Sequence, residues 1–188
     1  MPFDEIRSVS TATNVFLCVI VGVLLAVSIG AVEINQRPDD LVSRIDSELR
    51  SVFPGAHSWF FEDGDSPHFR GYTKDAEESS PRLVGLAFVT TDISPTKGYN
   101  GPIPILVGMS LNGKITDVLL FYHEEPFGYF SIDLPKFTAQ FKDKSIFDPI
   151  KIGENVDAIS RATMTLEAAS RGIRVGARQV IRALLNEG

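Results

Sequence analysis

Three hydroxyl side chains fall within six residues in the run Asp157-Ala158-Ile159-Ser160-Arg161-Ala162-Thr163-Met164-Thr165. The run opens directly into a long amphipathic pattern, so Ser160, Thr163 and Thr165 stand at the mouth of a helix. There the first backbone N–H groups have no intrahelical acceptor and the helix dipole is positive. Such an end suits a phosphate group. A threonine oxygen placed there is positioned to hold a phosphate or to be esterified by one. The plainer reading is helix capping, for which Ser and Thr are preferred in any case.

The elements that must position this run follow from periodicity. Leu166, Ala169, Ile173, Ala177, Val180, Ile181 and Leu184 recur at the three-four spacing of a buried helical stripe. Arg171, Arg174, Arg178 and Arg182 repeat on a second face, read either as solvated or as a contact for anionic lipid or an acidic partner. Upstream, residues 103–110 and 114–123 form a hairpin around Asn112-Gly113, a pair that supplies the positive φ angles of a two-residue turn. Residues 83–91 are strand-like, and residues 137–147 read as a short helix with a loop. Pro38-Asp39-Asp40 starts an earlier helix with Leu41, Ile45, Leu49 and Val52 as its apolar stripe, ended by Pro54-Gly55. It is expected to stand the following domain off a membrane. Trp59-Phe60-Phe61 begins a short apolar stretch, and residues 62–82, acidic and punctuated by Pro and Gly, read as a surface loop. The class expected is α+β, an antiparallel sheet flanked by helices and preceded by one N-terminal transmembrane helix.

Composition narrows the function. With 24 acidic against 18 basic residues in 188, the net charge of −6 argues against nonspecific nucleic-acid binding. Cys18 is the single cysteine, which excludes internal disulfides and cysteine-ligated metal sites within one chain. His57, His68 and His123 are scattered without ligand spacing, so no metal site is expected. His123 with Glu124 and Glu125 reads either as a general acid/base group or as a structural corner at a strand end. No charge occurs from Ser8 through Val32. That run approaches the roughly 20 residues that cross a bilayer as a helix. Asp4 and Glu5 beside Arg7 do not make the positive leading region of a signal peptide. The expectation is therefore an uncleaved anchor over residues 14–34, a leading segment 1–13, a helical stalk and loop over 35–82, and a functional domain over 83–188.

The run around Thr163 resembles the flavin-attachment signature of the FMN-binding domain family, found in the G subunit of Rnf complexes, the C subunit of sodium-pumping NADH:quinone oxidoreductase and the extracytoplasmic domain of NosR/NirI-type proteins. The family pattern is an Asp, two variable residues, Ser or Thr, usually Gly, then Ala-Thr. Asp157, Ser160, Ala162 and Thr163 match it. Gly98-Tyr99-Asn100-Gly101, Asn112-Gly113-Lys114-Ile115, His123-Glu124-Glu125-Pro126 and Gln140-Phe141-Lys142 are similar to further family segments, so the likeness covers roughly residues 83–185. The resemblance implies FMN joined to Thr163 by a phosphoester, a protein-phosphate type of linkage. It is placed there by a flavin transferase that moves the FMN half of FAD, with magnesium assisting. Asp157, Ser160, Arg161, Ala162 and Thr165 are expected around the cofactor, with His123 and Glu124 near the isoalloxazine ring. Arg161 stands where the family usually has glycine; it forgoes the freedom of positive φ but adds a cation beside the phosphodiester.

The function this implies is electron transport by a membrane flavoprotein, a complex subunit rather than a stand-alone enzyme. It would be single-pass in the inner membrane, with its C-terminal domain on the extracytoplasmic, periplasmic side. Its partners would be the membrane, other subunits of a redox complex and the flavin transferase. The alternative is a cofactor-free structural or regulatory subunit that keeps the fold, favoured by Arg161 in place of glycine. A noncovalent FMN protein is a third reading.

Overall fold

A computed structural model describes residues 38–73 and 80–186. The expected anchor over residues 14–34 lies outside them. Among the described residues no helix is long and apolar enough to cross a membrane.

Five strands form one antiparallel sheet in sequential order: β1 Ser58–Glu62, β2 His68–Thr73, β3 Arg82–Val89, β4 Ile105–Ser110 and β5 Ile115–Leu120. Alternation places successive side chains on opposite faces. Leu86 and Phe88 of β3, with Ile105, Val107 and Met109 of β4, face one way into the larger core. Ala87 and Leu106 face the other way into a smaller core. Because both faces are covered, β4 is buried almost throughout.

The larger core is closed by α5, Thr163–Asn186. Its expected stripe holds through Ile181: Leu166, Ala169, Ile173, Ala177, Val180 and Ile181 are buried, and Leu184 is half-buried against the same core. Two short helices, α1 Pro38–Arg44 and α2 Asp46–Val52, cover the other face, with Leu49 and Val52 packed against Trp59, Phe69 and Leu106. The periodicity predicts one continuous helix here. It breaks at Ile45 (φ −121°, ψ 20°), where Asp46 and Glu48 then supply the acidic first turn that favours a new helix start. This pair of helices is a layer of the fold itself, where a stalk is expected.

Two further expectations are corrected. Residues 62–82 do not form a surface loop throughout: β2 lies within them, paired residue by residue with β1 and β3. Its buried positions include His68, Gly71 and Thr73, which carry no apolar signal. The β4–β5 turn is also longer than two residues. Gly113 N–H donates to Ser110 O (3.0 Å) and Ser110 N–H to Lys114 O (2.8 Å). Gly113 has φ 77°, while Asn112 is not in the left-handed region. This is the three-residue connection in which a type I turn ends on a left-handed glycine.

Three short elements lead to the site. The helix α3, Thr90–Ile93, follows β3 directly. Thr90 Oγ1 donates to Ile103 O (3.0 Å) and accepts from Ile105 N–H (3.1 Å), which closes the intervening loop at its base. Thr96 Oγ1 donates to Ala168 O of α5 (3.1 Å), tying the same loop to the helix. Between β5 and α5 lie a single 3-10 turn, Gly128–Phe130, and α4, Pro135–Ala139, the short helix expected near residue 137.

Candidate functional site

The helix start is built tightly. Ala162 N–H donates to Ile159 O (3.1 Å), and Leu166 N–H donates to Ala162 O (2.9 Å). Ala162 is therefore the capping position, and the amides of Thr163, Met164 and Thr165 precede the first intrahelical bond. Arg161 takes φ 71°. The arginine adopts the left-handed conformation that a glycine would take at no cost, at about 1–2 kcal/mol of backbone strain. The expectation that it gives up positive φ is corrected.

The three hydroxyls separate cleanly. Thr163 and Ser160 are exposed, whereas Thr165 is buried. Thr165 Oγ1 donates a hydrogen bond to Glu125 Oε2. The same carboxylate accepts Tyr99 N–H at Oε2 (2.9 Å), and Asn100 N–H (2.8 Å) and Gly101 N–H (3.3 Å) at Oε1. Glu125 is only 6% exposed. Burial pushes its pKa up, but the Thr165 hydroxyl and the three amides outweigh that and hold it below the ordinary carboxylate value. The loop can approach so closely because residue 98 is glycine: a Cβ there would lie 2.6 Å from Glu125 Oε1.

His123 supports this corner from behind. Glu125 N–H donates to its Nδ1 (3.0 Å), so Nε2 carries the hydrogen and donates to Asp133 Oδ1 (2.7 Å). Both ring nitrogens are thus engaged in holding the turn. Glu124 is exposed, and its backbone carbonyl accepts from Asn100 Nδ2 (3.1 Å). Asp157 is exposed as well, with its N–H donating to Gln140 Oε1 (2.7 Å).

A cleft of about 260 Å³ opens at this point, lined by Tyr99, Phe127, Arg161, Ala162, Thr163, Met164 and Thr165. Four of the expected residues meet there: Arg161, Ala162, Thr163 and Thr165. Ser160, Asp157, His123 and Glu124 are not on its lining. Sequence reasoning named Glu125 with His123 and Glu124 as an acid/base group or a structural corner, but not as the partner of Thr165, and it missed Tyr99, Phe127 and Met164 as walls. The Gly98-Tyr99-Asn100-Gly101 segment was the available signal, since closely spaced glycines mark close backbone approach. A larger opening of about 520 Å³ shares Met164 and runs along α5 past Glu167, Ala168 and Arg171 to the loop Ser94-Pro95-Thr96-Lys97.

The donor set suits a phosphorylated aromatic group. An exposed hydroxyl at a helix start, free amides and a guanidinium meet the needs of a phosphate. Two aromatic rings and a thioether beside them offer apolar walls for a ring system.

Comparison with known proteins agrees with this chemistry. Residues 98–178 match the model of the FMN-binding domain family. Over 92 residues the chain is 32% identical to the G subunit of the proton-translocating ferredoxin:NAD(+) oxidoreductase complex of Clostridium ljungdahlii, covering 45% of this chain and 49% of that protein. The chain thus spans about half the length of that relative.

Proposed function

We propose that this chain, whose residues 98–178 match the model of the FMN-binding domain family, is a membrane-anchored flavoprotein subunit relaying electrons through an FMN joined to Thr163 by a phosphoester. The observation that carries this reading is the sorting of the hydroxyls. Thr163 is both exposed and on the cleft, Thr165 is committed to Glu125, and Ser160 lies off the lining.

When bound, FMN supplies one- and two-electron transfer. The chain supplies position and charge. Thr163 Oγ1 would carry the phosphoester, its bond to phosphorus replacing the one to AMP in FAD, with AMP as the leaving group and the hydroxyl proton lost to the transferase or to solvent. Arg161 and the first amides of α5 stabilise the negative charge of the resulting diester. Tyr99, Phe127 and Met164, all exposed on the cleft, would offer apolar cover to the flavin ring. Glu125 fixes Tyr99 and Thr165 relative to each other, so it positions a wall and a floor of the cleft together.

The anchoring span is residues 14–34, with residues 1–13 inside and the flavin domain, residues 83–188, facing the extracytoplasmic side. Similarity to a component of a ferredoxin:NAD(+) oxidoreductase complex supports placement within a larger membrane redox assembly. A flavin transferase would complete maturation. The cofactor-free alternative draws its support from arginine at position 161, yet Arg161 takes the glycine-like conformation.

The test is flavin retention. Wild-type protein should keep its yellow chromophore through denaturation and washing, with intact mass raised by one flavin mononucleotide less water. Thr163→Val should lose both while melting within about 0.5 kcal/mol of wild type, since the side chain is exposed. Flavin released on denaturation would refute the covalent link; flavin absent altogether would refute the redox role.

A further inference from the structure

Seven residues along α5 from Thr163 there is a second polar cavity, of about 240 Å³, lined by Ile150, Lys151, Ile152, Glu167, Ser170, Arg171 and Arg174. Three cations face one carboxylate, Glu167, on this lining. Two features of the cavity lack a role in the fold. Ser170 is 1% exposed, and its Oγ has no hydrogen-bond partner. A serine inside a helix ordinarily points to solvent or bonds back to the preceding turn; this one does neither. Ile150 has φ 42°, an outlier for a β-branched residue, and such strain concentrates at ligand clamps.

One of the three cations is held in place by the loop. Arg174 Nη1 donates to Pro149 O (3.0 Å) and Ile150 O (2.7 Å), which uses one of its nitrogens and fixes the strained loop. The planar guanidinium keeps further N–H donors beyond that one. Lys151 Nζ pairs with Glu154 at 3.0 Å and is exposed enough to exchange partners. Partial burial lowers the Arg174 pKa, and repulsion from Arg178 and Arg171 adds to it, with Glu154 opposing. The positive charge here is in excess.

We infer that this cavity is a binding site for a phosphate-type oxyanion, held by Arg171, Arg174, Lys151 and the hydroxyl of Ser170. An anion there would offer an acceptor to the orphaned hydroxyl of this lining residue. It would also neutralise the crowded guanidiniums. The inference does not rest on the flavin assignment: the cavity shares no lining residue with the cleft at Thr163, although the 520 Å³ opening beside Met164 also borders Glu167 and Arg171. The same chemistry serves a soluble phosphate ester or a phospholipid headgroup.

Calorimetric titration of the detergent-solubilised full chain with inorganic phosphate tests this. Saturable one-to-one binding is expected. Ser170→Ala and Arg171→Gln should each weaken it about tenfold or more, as the loss of a hydrogen bond to a charged group does. Arg182→Gln, on the same helix but off the lining, should bind as wild type. Without ligand, Ser170→Ala should melt no lower than wild type, since the hydroxyl it removes has no partner to lose. Dihexanoyl-phosphatidylglycerol below its micelle concentration competes with phosphate if the source is a lipid headgroup; glycerol 3-phosphate alone competes if it is a soluble ester. Absence of saturable binding overturns the inference. So does phosphate affinity within twofold of wild type in both Ser170→Ala and Arg171→Gln, or an equal loss in Arg182→Gln.

Discussion

Replacing Glu125 by glutamine keeps the shape of the side chain and removes half of its accepting capacity. Two donors converge on each carboxylate oxygen: Asn100 and Gly101 amides on Oε1, the Tyr99 amide and the Thr165 hydroxyl on Oε2. The amide nitrogen of glutamine must face one of these pairs, and at least one backbone N–H then meets a donor, although the Thr165 hydroxyl can turn to accept. The unsatisfied groups cost about 1–3 kcal/mol each, and the bonds that survive lose their charge assistance. Because Tyr99 and Asn100 are otherwise exposed and regain water, the net loss should be about 3 kcal/mol. For a chain of this size that is a fall of roughly 6–12 °C in Tm, read by differential scanning calorimetry. The pH dependence has a definite sign. The folded-state pKa of Glu125 lies below the ordinary glutamate value of 4.5, so its contribution is present above about that pH and is lost as pH falls through the lower folded-state value. Glu125→Gln should therefore flatten the acid limb of the stability curve below pH 4.5. A Tm within about 2 °C of wild type, with an unchanged acid limb, would refute the account of Glu125 as the tie between loop and helix.

Two other substitutions probe the helix and its start. Arg161→Gly relieves the left-handed strain at φ 71° and should raise stability by about 0.5–1 kcal/mol after the extra chain entropy of glycine is offset, measured by urea unfolding; a loss of stability would show that the arginine side chain contributes more than its backbone costs. Arg178→Gln removes two guanidinium bonds, to Ile146 O (2.7 Å) and Asp148 O (2.9 Å), and should cost about 2 kcal/mol, with faster amide exchange in residues 146–150 as the local readout.

The long C-terminal helix is legible in the sequence because its apolar residues keep a 3.6-residue period along its whole length, and nothing competes with that signal. β4 is legible as a continuous apolar run ended by Asn-Gly. β2 is not. His-Phe-Arg-Gly-Tyr-Thr buries one apolar side chain, Phe69, and spends its other buried positions on His68, Gly71 and Thr73, residues whose burial depends on neighbours contributed by β1 and β3. The arginine stripe reads from its spacing as solvated or as a docking face. In the fold, Arg174 and Arg178 instead donate to the carbonyls of residues 146–150, and backbone acceptors leave no trace in side-chain patterns. Glu125 is hidden for a related reason. Its partners lie 24–26 and 40 residues away, and a glutamate is ordinarily exposed unless paired. The attachment run itself is readable because its helix-start chemistry is local; the cleft around it is not, since Tyr99 and Phe127 arrive from separate loops.

Every strand of the sheet pairs with its neighbour in sequence, so the scaffold consists of local hairpins whose formation needs little loop closure. The cleft is the reverse: the link from Thr165 to Glu125 spans 40 residues and closes only when both segments are already in place. The two parts therefore sit at opposite ends of the cooperativity scale. Sub-global opening should part the cleft while the meander stays protected, with the amides of Tyr99 and Asn100 exchanging before those of Leu106 and Val107. A modifying enzyme that requires an extended acceptor segment would find one in that partly opened state, without unfolding the sheet beneath it.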